Sequence, residues 1–73
     1  MAKVNADVAF DEETQTIDGV LDRIKKTYNV SAKIVGEYNG WPDVEFEGEK
    51  SRLMDMLREE FGDEDGFLAS FIK

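Results

Sequence analysis

Among its 73 residues the chain has no cysteine and no histidine. The first absence removes disulfides, thiolate nucleophiles and cysteine metal sites, and leaves the redox compartment unreadable. The second removes the commonest general base near neutral pH and the commonest transition-metal ligand. No glycine-rich phosphate loop is present, and no nucleophile–base pair can be named. The chain therefore reads as non-enzymatic, with no cofactor and no metal. No apolar run approaches the roughly 20 residues that span a bilayer. Met1-Ala2-Lys3-Val4 leads directly into alternation, so the expectation is a cytoplasmic protein without a leader.

Positive charge is also scarce. Nine Lys and Arg face seventeen Asp and Glu, for a formal charge of −8. Polyphosphates and anionic membrane surfaces repel such a chain, so direct nucleic-acid or membrane binding is disfavoured. A basic protein partner is attracted instead, with fast association at low salt.

What is present suits one small packed domain over residues 1–73. Hydrophobic residues make up 41% of the chain and aromatics number eight, which argues against disorder. A chain this short buries only about 60% of its unfolded surface, so its core is thin.

Val4, Ala6, Val8 and Phe10 alternate with Asn5, Asp7, Ala9 and Asp11, the two-residue period of a strand with one buried face. Asp11-Glu12-Glu13-Thr14 then signals a helix start. Ile17, Val20, Leu21, Ile24 and Tyr28 form one apolar stripe at spacings of three and four. Thr14 or Thr16 can cap this helix, and Asn29 can end it in the left-handed region. Gly19 inside it suggests a close approach to the sheet.

Val30 to Glu37 alternates again. Asn39-Gly40, between Tyr38 and Trp41, is the strongest short hairpin signal, because a type I′ turn needs positive φ at both central residues. Tyr38 and Trp41 would face each other across it. The only proline, Pro42, suits the start of a strand carrying Val44 and Phe46 on one side and Asp43, Glu45 and Glu47 on the other.

Leu53, Met56, Leu57 and Phe61 mark a second helix, with Ser51 or Gly48 near its cap and Gly62 as its stop. Residues 63–66 are a turn. Phe67-Leu68-Ala69-Ser70-Phe71-Ile72 reads best as a final strand, with a short helix over 65–72 as the rival reading. The order predicts an α+β ferredoxin-like βαββαβ fold: a four-stranded antiparallel sheet with two helices on one face. Its fourth strand would be an edge with two apolar faces, a liability that homodimerisation through residues 67–72 would relieve.

On this scheme Asp7, Glu37, Glu45 and Glu47 lie together on the open sheet face. RNA-recognition domains of that topology place aromatic and basic residues there instead. Asp55, Glu59, Asp63, Glu64 and Asp65 extend the acid along the second helix and its following turn. These acids read either as a solvated, solubilising surface or as a docking surface for basic side chains. Trp41, at the hairpin tip, either covers its own core or anchors a partner.

Gly40-Trp41-Pro42-Asp43-Val44-Glu45-Phe46-Glu47-Gly48, with the helix through Leu53, Met56, Leu57 and Phe61-Gly62, resembles a pattern in small uncharacterised bacteriophage proteins. The resemblance covers about a third of the chain and assigns no site residue. It implies a phage-type inhibitor or nucleic-acid mimic that occupies the basic groove of a nucleic-acid-handling protein. The expected function is thus an acidic protein-binding module, carried by Asp7, Glu37, Trp41, Glu45, Glu47, Asp55, Glu59, Asp63, Glu64 and Asp65. The alternatives are a homo-oligomeric regulatory domain binding a small ligand at its subunit interface, and a structural accessory protein.

Overall fold

The computed structural model describes residues 1–73. Its elements run β1 (Ala2–Asp7), α1 (Ile17–Tyr28), β2 (Ser31–Tyr38), β3 (Trp41–Gly48), α2 (Lys50–Phe61) and a short 3-10 helix over Leu68–Phe71. The sheet has three antiparallel strands in the order β1-β3-β2, not the four predicted. The α+β class is retained. No helix is long and apolar enough to cross a membrane.

The local signals explain most element ends. The Thr16 hydroxyl accepts from the Gly19 amide at 3.1 Å and starts α1, while Asn29 ends it at φ 53°. Gly19 does not admit the sheet: a Cβ there would meet Thr16 Oγ1 at 3.1 Å, so its neighbour is its own cap. Helix α2 begins at Glu49 with no side-chain cap, from Ser51 or any other residue, and ends at Gly62 with φ 68°. Asn39 and Gly40 both have positive φ, 52° and 83°, as the two-residue hairpin requires.

Both helices bury their stripes on one face of the sheet. Val4, Val44 and Phe46 from the strands meet Val20, Leu21 and Ile24 from α1 and Leu53, Met56 and Leu57 from α2. Phe61 closes the core edge-on against Phe46, with centroids 6.1 Å apart. Each such side chain contributes about 1.5–3 kcal/mol on burial. That apolar term is the main stabilising term in a domain without cross-links.

The predicted final strand is instead a 3-10 turn. Asp63 decides this: its two carboxylate oxygens accept from the Leu68 and Ala69 amides at 2.9 and 3.0 Å. Asp65 accepts from the Phe67 amide, and Gly66 turns the chain at φ 76°. The alternation of apolar residues over 67–72 does not reveal these local acceptors, which compete with strand pairing. Of the tail residues only Lys73 hydrogen-bonds to β1, although the 3-10 turn also lies against that strand. Its amide donates to Lys3 O at 2.8 Å, and the Lys3 amide donates to Lys73 O at 3.1 Å. Dimerisation through 67–72 as an edge strand therefore loses its premise.

Strand β2 carries a second departure. Ile34 pairs with Val44 and Gly36 with Asp43, so Val35 is an extra residue in a β-bulge. Beyond it, Glu37 pairs with Pro42 and Tyr38 with Trp41. The parity of β2 is reversed there, and Glu37 is no longer on the side of Glu45 and Glu47.

Candidate acidic face and the adjoining cleft

Strand register sorts the sheet face opposite the helices into three rows. Lys3, Glu47 and Ser31 form the first, Asn5, Glu45 and Lys33 the second, and Asp7, Asp43 and Gly36 the third. Each of the first two rows sets one lysine against one glutamate. In the first, Lys3 Nζ lies 3.7 Å from Glu47 Oε2. The third holds two carboxylates and no cation. The uncompensated charge of the face is therefore concentrated at Asp7 and Asp43, an opposed like-charge pair that costs stability.

Glu45 and Glu47, expected to dominate the face, are thus set in rows that each contain a lysine. Asp43, absent from the expected set, faces Asp7 directly. Its alternation with Glu45 and Glu47 was visible in the sequence. What was missing was the antiparallel register that sets residue 43 against residue 7.

Trp41 shares the parity of Asp43 and lies next to it on that side of β3. It is half-buried, and Phe10 packs edge-on against it with centroids 5.8 Å apart. The ring contact at the hairpin is therefore with Phe10, although Tyr38 is the register partner. Tyr38 itself is exposed.

The acids beyond the sheet serve several ends. Asp55 pairs with Arg58 at 2.8 Å. Asp63 and Asp65 hold the amides of the 3-10 turn, as described above. Glu59 and Glu64 are exposed and make no ion pair. Nowhere do three carboxylates gather closely enough to hold a metal ion.

One strongly organised group leaves no local signal in the sequence. Arg23 grips Glu60 with two hydrogen bonds of 2.7 and 3.1 Å, and the Tyr28 hydroxyl donates to Glu60 Oε2 at 2.9 Å. The Arg23 hydrogen bonds hold the Glu60 carboxyl below its ordinary range, against the opposing effect of its burial. The hydrogen bond to Glu60 likewise raises Arg23. Burial, then the bond to Glu60, keeps the Tyr28 phenol neutral far above its ordinary range. A phenol held in that state is not an activated nucleophile. The triad ties α1 to α2 across sequence separations of 37 and 32 residues.

Beside it lies a cleft of about 180 Å³, lined by Val8, Phe10, Gln15, Arg23, Glu60 and Phe61 among others. A second, more open hollow of about 350 Å³ adjoins it at the start of α1, lined by Thr14, Gln15, Thr16, Gly19, Val20 and Arg23. Three charged residues line the first cleft: Arg23 and Glu60 are committed to each other, and Asp7 belongs to the uncompensated row of the sheet face.

Comparison of the chain with family models, with curated proteins and with solved structures gives no match in any of the three.

Proposed function

We infer that the chain is a protein-binding module that presents the Asp7–Asp43 row, with Trp41 beside it, to a basic surface of a partner. The observation that carries this reading is the uncompensated row itself. Two carboxylates face each other on adjacent strands, while each of the other two rows contains a lysine. An arrangement that costs the free protein a little stability is relieved by a guanidinium or ammonium arriving from outside. Trp41 supplies the flat apolar surface on which such a cation can also rest. The negative charge of the whole chain speeds the encounter.

Because the first two rows are balanced, this sheet face offers a local acidic focus rather than a long anionic stripe. That favours docking on a few basic side chains over imitation of a nucleic-acid strand. The test is capture of heparin-retained proteins on the immobilised chain at low salt. The expected result is capture that high salt releases and that the double variant Asp7→Lys, Asp43→Lys abolishes, while Glu64→Lys leaves it intact. Equal capture by both variants would overturn the reading.

A further inference from the structure

We propose that the outer edge of β1 takes up an extended segment of a basic partner as an added strand, over Asn5, Asp7 and Ala9. This rests on the docking reading above and specifies how the partner is held.

Backbone direction is the first observation. The amide of Val8 donates to Pro42 O at 3.0 Å, so even-numbered residues of β1 turn their backbone groups toward β3. Odd-numbered residues turn theirs outward. Lys3 satisfies both of its groups with Lys73. Asn5, Asp7 and Ala9 have no such partner, and all three are exposed. Two outward positions of β1, Asn5 and Asp7, thus leave two amides and two carbonyls free on one line, with the unpartnered Ala9 just beyond the strand's end.

The second observation is that this edge already accepts an extended residue. The reciprocal Lys3–Lys73 pair has the hydrogen-bond pattern of an antiparallel ladder. The preceding residues do not continue it, because Asp63 holds them in the 3-10 turn, with Leu68, Ala69 and Ile72 packed against the core.

Charge complementarity names the occupant. A strand laid beside β1 places alternate side chains on the sheet face of Asp7 and Asp43. A lysine or arginine opposite Asp7 would complete the one row that lacks a cation. Main-chain hydrogen bonds would supply affinity, and this row would supply selection for basic sequence. A second copy of the chain, which carries the same excess of acid, suits the edge less well.

The probe is a synthetic peptide of about five residues alternating lysine and valine, titrated into the isotope-labelled full chain at low salt. Amide shifts are expected at Asn5, Asp7 and Ala9, with slowed hydrogen exchange there. Methylating the peptide nitrogens on its bonding edge should weaken binding about tenfold or more, since it removes donors without removing charge. Asn5→Pro, which deletes one outward amide at an edge position and keeps every acid, should weaken it in the same direction. If the methylated peptide binds equally and shifts only Trp41, Asp43 and Glu45, the added strand is wrong and the acidic docking reading survives. If the peptide does not bind, the edge proposal falls, while the capture experiment above judges docking separately.

Discussion

Asp7 and Asp43 are direct cross-strand partners, the one place on the open sheet face where like charges oppose each other and no cation shares their row. Their repulsion is the cost at which the acidic focus is kept. Asp43→Asn, which retains the shape and removes one charge, is expected to stabilise the domain by about 0.5 kcal/mol. The gain should shrink in high salt, where surface charges are screened. Urea unfolding at two ionic strengths measures both, and a loss of stability would refute the repulsion.

The Asp63 carboxylate holds the 3-10 turn by accepting from two amides. Asp63→Ala should cost about 1 kcal/mol, as loss of a capping acceptor does. Hydrogen exchange at Leu68 and Ala69 should accelerate more than at the core amides of Phe46 and Leu57. Uniform acceleration would mean that the turn is held by packing alone.

Glu60 joins the two helices, and its side chain is only 19% exposed. Its carboxyl is depressed in the folded state, so its stabilisation is present above the unfolded carboxyl value and disappears as pH falls through the folded one. Glu60→Gln should therefore lower stability at neutral pH and narrow its gap to the parent in acid. Thermal melts across the acid limb read this directly.

Tyr28 gives the opposite limb. Its phenol is raised in the folded state, so the stabilisation is complete below the ordinary tyrosine value and is lost as pH rises toward the folded one. Tyr28→Phe should cost about 1 kcal/mol at neutral pH through the lost bond to Glu60. Stability of the variant should then fall less steeply above about pH 10, where the unfolded phenol ionises. An unchanged alkaline slope would exclude Tyr28 as its source.

Gly40 sits at φ 83° in the hairpin turn. Gly40→Val forces a branched side chain into the left-handed region and should destabilise by about 1–2 kcal/mol. Gly36→Ala, with open space at its Cβ position, is the control in the same hairpin.

Much of this architecture can be read from local chemistry. The stripe from Val20 to Tyr28, the Thr16 cap, the Asn39-Gly40 turn and the Gly62 stop each depend on residues within a turn or two of one another, and each is where the pattern places it. The tail is ambiguous because six apolar-rich residues fit a strand or a helical turn equally, and the acid that decides between them lies five residues upstream of Leu68. The Arg23–Glu60–Tyr28 triad could not be seen at all, since no pattern links residues more than thirty apart before the helices are packed. Asp43 occupied an intermediate position: its face was legible and its partner was not.

The Val35 bulge acts on side-chain direction as a one-letter insertion acts on a reading frame. Upstream of it, odd-numbered residues of β2 belong with Glu45 and Glu47. Downstream, the even-numbered ones do. Pairing β2 without the bulge, with Val35 opposite Asp43, would set Gly36 opposite Pro42 and Glu37 opposite Trp41, on the side of Asp43. That one-residue slip would bring a third carboxylate to the acidic focus while leaving the number of charges in the molecule unchanged.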